Sequence, residues 1–143
     1  METNKVYITN EQVRWYVLEL IRKFTIENVQ FDFIVGLSRG GLIPAVLLSH
    51  FFDKPFYALN KPYNNEIPST GIALIVDDIN DTGKTFARVD ELLCDERPEL
   101  AKIFVSLIEN TASPFAVDFS ANEINKEEDP SWIVFPWENW WSA

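Results

Sequence analysis

The stretch from Gly71 to Phe86, Gly-Ile-Ala-Leu-Ile-Val-Asp-Asp-Ile-Asn-Asp-Thr-Gly-Lys-Thr-Phe, constrains the fold of this chain more than any other. Ile72 to Val76 is an unbroken apolar run with β-branched residues, short enough for a strand buried on both faces. Asp77 and Asp78 follow at once, and then Asp81-Thr82-Gly83-Lys84-Thr85. Beyond them Phe86, Val89, Leu92 and Leu93 recur at the three- and four-residue spacing of a helix. A strand that feeds a Gly/Thr loop at a helix N-terminus offers unpaired N–H groups and the positive end of the macrodipole, both of which favour a phosphate. The acidic pair falls at the carboxyl end of the strand, where open α/β sheets bind their ligands. Three chemistries fit these residues. Gly83-Lys84-Thr85 has the ending of a nucleotide P-loop, but the first glycine of that motif would fall on Asp78, whose charge would repel a triphosphate. A buried strand ending in a solvated acidic turn that caps the next helix needs no ligand. A sugar-phosphate site would put the carboxylates on ribose hydroxyls or a metal and the loop on a monophosphate.

The flanks read as more of the same α/β alternation. Thr9 to Gln12 forms a Thr-x-x-Gln capping box that opens a helix through about Glu27, with Val13, Val17, Leu20, Ile21 and Phe24 as its apolar stripe. Phe31 to Leu37 predicts a strand running into Ser38-Arg39-Gly40-Gly41, and a helix through about Phe52 follows, with Pro44 in its first turn. Two glycines beside an arginine at a strand–helix junction allow the backbone to approach an anion, with a guanidinium as counter-charge; a tight turn with a solvated arginine reads equally well. Phe56 to Leu59 is a short strand, Asn60 to Thr70 a loop, Ala101 to Ile108 another buried strand, and Ala116 to Ala121 an edge strand. His50, alone on its helix near Phe51 and Phe52, is assigned no role.

At 143 residues, 47% hydrophobic and 14% aromatic, the chain predicts one folded domain, 1–143. Its 22 acids against 12 bases give a formal charge of −10, which argues against a nucleic-acid partner. The lone cysteine, Cys94, falls among the apolar positions of a predicted helix and reads as a small core residue. With no signal-peptide pattern and no apolar run near eighteen residues, the expectation is a cytoplasmic protein that makes no use of a membrane.

Val76-Asp77-Asp78-Ile79-Asn80-Asp81-Thr82-Gly83-Lys84-Thr85 resembles the phosphoribosyl-pyrophosphate (PRPP) signature of type I phosphoribosyltransferases. Ile34 to Pro44 is similar to the pyrophosphate-binding loop of the bacterial xanthine–guanine phosphoribosyltransferases, and Trp132-Ile133-Val134-Phe135-Pro136-Trp137-Glu138 to their Trp-Ile/Val-x-x-Pro-Trp-Asp/Glu ending. The resemblance implies an α/β fold of type I phosphoribosyltransferase kind: a central, mostly parallel sheet flanked by helices, with a small hood at about 59–71 and a base-binding segment at about 122–138. It implies transfer of ribose 5-phosphate from PRPP to a purine-type base, with Mg2+ as the cofactor that an acidic protein needs to handle a pyrophosphate.

Carried over residue by residue, the resemblance places the 5′-phosphate on Asp81, Thr82, Gly83, Lys84 and Thr85, and the ribose hydroxyls on Asp77 and Asp78, directly or through the metal and its waters. Ser38, Arg39, Gly40 and Gly41 would hold pyrophosphate, with a cis non-proline peptide at Arg39–Gly40 or its neighbour. Asp81 would take or steer the proton of the attacking ring. Trp132 would stack on the base, helped by Ile133, while Lys61 and Tyr63 are the residues of the short hood able to reach the site. Related purine enzymes place a lysine that reads the exocyclic oxygen of the base in the segment where this chain has Glu109-Asn110-Thr111; Asn110 stands there instead, and its amide can both donate and accept. The base therefore stays open at this point. Trp137, Trp140 and Trp141 would pack the tail or a subunit contact in a dimer or tetramer. A non-catalytic PRPP- or nucleotide-binding module of the same fold is the alternative.

Overall fold

In the computed structural model, which describes residues 4–60 and 66–142, a short strand, Lys5–Tyr7 (β1), leads into helix Asn10–Ile26 (α1). Strand Phe33–Leu37 (β2), helix Leu42–Phe52 (α2) and strands Phe56–Leu59 (β3) and Gly71–Asn80 (β4) follow. Helix Lys84–Glu96 (α3) precedes strands Leu100–Asn110 (β5), Phe119–Ile124 (β6) and Trp132–Val134 (β7), and a turn of 3-10 helix closes the chain at Pro136–Glu138. Five strands form one sheet in the order β3-β2-β4-β5-β6, every neighbouring pair parallel. A parallel sheet must be covered on both faces, and the period of two in β4 shows how. Leu74 and Val76 pack with Val17, Leu20 and Phe24 of α1 and Ala45 and Leu48 of α2. Ala73 and Ile75, one residue out of phase, pack with Phe86 and Leu93 of α3.

The capping box at Thr9 is present in both directions: the Gln12 N–H donates to Thr9 Oγ1 at 3.1 Å, and the Thr9 N–H to Gln12 Oε1 at 2.8 Å. Three elements depart from the expectation. β4 does not end at Val76; it pairs with β5 through Ile79 and Asn80, so the two aspartates lie within the strand and not in a turn after it. Backbone pairing is indifferent to side-chain charge as long as the neighbouring strand continues, and β5 continues to Asn110. The edge strand β6 starts at Phe119, not Ala116. Asp118 delays it: its N–H donates to the Phe104 carbonyl at 2.8 Å while its carboxylate accepts the Phe104 N–H at 2.7 Å. Cys94 is exposed, one residue past the buried Phe86–Leu93 stripe of α3, with the Lys102 ammonium 3.1 Å from its sulfur. It is not a core residue.

The three-residue strand β1 is too short to read from sequence, yet it pairs in parallel with β7 in a separate two-stranded sheet. The connection from β3 to β4 is pinned at its far end: Ile67 is 3% exposed, and its carbonyl accepts the Arg97 Nε–H at 3.1 Å. Lys61 and Tyr63, the expected hood residues, lie outside the described residues. No helix among the described residues is long and apolar enough to cross a membrane. Replacing the cap, Thr9→Ala, leaves orphan N–H groups at the start of α1 and should lower stability by about 1 kcal/mol and the thermal midpoint by roughly 3–4 °C, read by circular dichroism.

Candidate active site

Because β2, β4 and β5 run parallel, their carboxyl ends open on one edge of the sheet. After β2 the chain turns through Ser38 to Gly41, where the Gly41 N–H donates to the Leu37 carbonyl at 2.9 Å and the Leu42 N–H to the Arg39 carbonyl at 3.1 Å. The Ser38–Arg39 peptide is cis. Neither glycine could carry a side chain here. A Cβ at Gly40 would stand 2.1 Å from Asp78 Oδ2, and one at Gly41 2.2 Å from the Val76 carbonyl oxygen. The glycines thus let one backbone lie directly on the acidic end of the next strand, with the Arg39 side chain exposed beside it.

Asp77 and Asp78 are half-buried, and each turns one oxygen back on its own strand. Asp77 Oδ1 accepts the Asp78 N–H at 2.8 Å, and Asp78 Oδ1 accepts the Ile79 N–H at 2.8 Å. Burial pushes the Asp77 carboxyl well above its ordinary value, and the neighbouring Asp78 charge adds to the rise. Burial also raises Asp78; hydrogen bonds from Asp77 and the Ile79 backbone work against it, while the Glu138 charge works with it. Asp78 Oδ2 faces the Gly40 turn, and the pair offers hard, acidic donors for a cation or for hydroxyls. No cluster of three or more His, Cys, Asp or Glu that could hold a metal ion occurs among the described residues. The donor set fits a divalent ion that keeps most of its water or takes ligands from a substrate, as Mg2+ does, and not one caged by protein.

Beyond the strand, Gly83 adopts φ 84°, and a Cβ there would meet Ser113 Oγ at 2.6 Å. Glycine is required twice over, by the left-handed backbone and by the packing. The first backbone bond of α3 runs from the Ala87 N–H to the Gly83 carbonyl at 3.0 Å, so the amides before it lack a partner within the helix, and the Lys84 N–H reaches only Thr82 Oγ1, at 3.4 Å. Thr82, Lys84 and Thr85 are all exposed around them.

On the other side of Asp81 lies a small pocket of about 150 Å³, into which Asp81, Lys126, Trp132, Ile133, Phe135 and Glu138 project, with Asp78 at its edge. The Trp132 ring is 52% exposed. Lys126, which the sequence reading passed over, sits inside: its Nζ is 3.0 Å from Asp81 Oδ2 and 4.9 Å from the centre of the Trp132 ring. The signal for it was slight, one lysine in the charged turn Asn125-Lys126-Glu127-Glu128-Asp129-Pro130. Asn110 is 7% exposed and turns inward. Its Nδ2 donates to the Asp81 carbonyl at 2.9 Å, and its Oδ1 accepts from the Ala112 N–H at 3.2 Å and the Lys126 N–H at 3.0 Å. Asn80, 1% exposed, donates to the Phe115 carbonyl at 2.6 Å. Two buried asparagines thus tie the Asp81 loop to the chain beyond β5.

The Ser38–Gly41 turn, the half-buried acidic pair and the start of α3 are thus gathered on one sheet edge. The chain belongs to the phosphoribosyl transferase domain family, whose profile matches residues 11–140. It is 27% identical over 129 residues to the xanthine-guanine phosphoribosyltransferase of Cereibacter sphaeroides, covering 78% of this chain and 72% of that protein. Among solved structures it is similar to the purine phosphoribosyltransferase of Pyrococcus horikoshii Ot3, with a TM-score of 0.78, 30% identity and 95% of each chain covered. The Helicobacter pylori xanthine-guanine-hypoxanthine phosphoribosyltransferase has the same fold, with a TM-score of 0.79 at 24% identity over 95% of each chain.

Since both acidic carboxyls hold protons more tightly folded than unfolded, the folded state binds more protons in the interval above the ordinary value of 3.8. The contribution of this pair to stability therefore falls as pH rises through that interval. Asp77→Asn removes one of the two charges. In the presence of EDTA it should raise the thermal midpoint at neutral pH by a few degrees and flatten its fall as pH rises above the ordinary carboxylate range. A variant that melts like the parent at every pH would show that the pair costs nothing.

Proposed function

We propose that this phosphoribosyltransferase moves ribose 5-phosphate from PRPP to a purine base, giving a nucleoside 5′-monophosphate and pyrophosphate. The observation that carries this reading is the order of the site: Gly40 backbone on Asp78, Asp78 beside Asp81, and Asp81 on the Trp132 pocket. Leaving group, sugar and acceptor would lie along that line. Arg39, with the backbone of Ser38, Gly40 and Gly41, holds the pyrophosphate and stabilises the charge that grows on it as the C1′–O bond breaks. The amides at the start of α3, with Thr82, Thr85 and Lys84, hold the 5′-phosphate. Fixing both ends of the sugar orients the anomeric carbon toward the base.

Asp77 and Asp78 take the ribose hydroxyls and would hold Mg2+, which when bound neutralises pyrophosphate charge. Because burial raises both carboxyls, protons and a cation compete for the pair. Trp132 supports the base on its indole face, worth about 1–3 kcal/mol for a stacked heterocycle. As a ring nitrogen bonds to C1′, its proton passes to Asp81, the carboxylate that lines both the sugar end and the base end. Asn110 holds the Asp81 backbone and does not itself face the base.

Pyrophosphate release from PRPP and Mg2+ with guanine, xanthine, hypoxanthine, adenine and uracil tests the reading. Turnover is expected with at least one purine and not with uracil. Asp81→Asn should lower kcat by about 10²–10⁴-fold while nucleotide still binds. Gly40→Ala, whose methyl would collide with Asp78, should cost about 10²-fold in kcat/KM for PRPP. Tight nucleotide binding with no turnover for any base would overturn catalysis and mark a regulatory module instead.

A further inference from the structure

We infer that Trp137 is a positioning residue for Asp78, its indole N–H being the fixed donor that holds this carboxylate in line under the Gly40 turn. The inference rests on the proposed function only for the ligand, the ribose of PRPP and its cation, that Asp78 is held ready to take. Trp137 is clamped from two sides. Pro136–Glu138 is a turn of 3-10 helix whose start is capped by Glu138, with Oε2 accepting the Phe135 N–H at 2.6 Å. The indole lies flat on the Phe135 ring, centroids 5.0 Å apart and planes 3° from parallel, and packs on the core cluster that includes Val13 and Val17 of α1. Phe135 is itself 1% exposed and lines the Trp132 pocket with Asp78 and Glu138. A ring locked in this way cannot turn its N–H elsewhere.

Packing accounts for the ring and not for the N–H. Trp137 Nε1 is buried and meets no hydrogen-bond partner among the described residues. A buried donor left open is unfavourable, and a phenylalanine would stack on Phe135 without burying one. The acceptor that the indole approaches is Asp78. Burial raises the Asp78 carboxyl above its ordinary value, and the indole is close enough to pull against that rise, although it stops short of hydrogen-bond geometry. Asp78 Oδ1 accepts the Ile79 N–H at 2.8 Å, and Oδ2 is the atom that a Cβ at Gly40 would strike. Rotation of an aspartate carboxyl about Cβ–Cγ is soft, so the Ile79 bond alone leaves its plane free to turn. The same softness lets the ionised carboxylate close on the indole with a small rotation. A charge-assisted bond from a rigid ring then fixes the plane, and with it the place where hydroxyls or a cation are met.

Trp137→Phe keeps the stack and loses the N–H. It should raise KM for PRPP with Mg2+ by about 10-fold or more, leave KM for the base within about twofold, and not lower the thermal midpoint. In an Asp78→Ala background the same change should have almost no further effect on kcat/KM for PRPP. Benzothiophene in place of the Trp137 indole keeps both rings and puts sulfur where the N–H was. It should behave as Trp137→Phe does, and it decides the matter should the Phe variant not fold. A Trp137→Phe variant that keeps its KM for PRPP, raises both KM values alike, or adds its effect in full to that of Asp78→Ala overturns the inference. The contact is also read without PRPP, by NMR of isotope-labelled protein. The Trp137 indole proton should shift upfield in Asp78→Ala while those of the exposed Trp15 and Trp141 stay in place. A Trp137 proton that does not move overturns the inference. One that moves in a protein that consumes PRPP with no base sinks the transferase reading and leaves the hold of Trp137 on Asp78 standing.

Discussion

Two carboxylates side by side in a half-buried strand end are the constraint that the rest of this molecule accommodates. Burial disfavours the charge of both, the Asp78 charge adds to the rise at Asp77, and the Glu138 charge adds to the rise at Asp78. A strand end built only for stability would carry apolar or singly charged residues there. Keeping the pair requires that the strand be held by both neighbours. β4 occupies the middle of the sheet, paired with β2 through Val76 and with β5 through Asn80, so backbone bonds hold its position whatever the side chains of the pair prefer. The most unfavourable residues sit on the element best able to carry them.

The same central placement explains why the other parts converge. In a parallel sheet, successive carboxyl ends emerge on one edge, so the Gly40 turn after β2 and the Asn110 end of β5 flank the acidic end of β4 without any further device. Small residues then set the distances. Gly40 and Gly41 bring one turn onto the carboxylate, and Gly83 brings the start of α3 against Ser113 and Phe115. The asparagines Asn80 and Asn110 finish the work by bonding one loop to the next. Order in the site comes from backbone proximity stapled by buried amides, with the charged groups placed last.

Much of this was legible in the residues, and the failures have physical causes. The Thr9 cap, the strand–turn–helix at Leu37 to Leu42 and the helix after Gly83 are local signals, and the structure bears them out. The extra length of β4 was hidden, because acidic residues disfavour strands on average while the partner strand here supplies the pairing. Cys94 was misjudged by a single residue of helical phase. β1 is too short to carry a pattern, and Lys126 lies in a turn whose composition is that of any solvated loop. What made Lys126 visible was long-range: 45 residues separate it from Asp81, and only the folded sheet brings them to 3.0 Å.

The small sheet of β1 and β7 has a bearing on the far end of the chain. Trp132 donates its N–H to the Asn4 carbonyl at 2.7 Å, and Ile8 donates to the Val134 carbonyl at 2.8 Å, so the strand that carries Trp132 hangs from residues 4–8. The Trp132 backbone is thereby tied to the Asn4–Ile8 segment. A change at residues 4–8 therefore acts on the strand that carries Trp132, and through it on the pocket that Trp132 shares with Asp78 and Asp81.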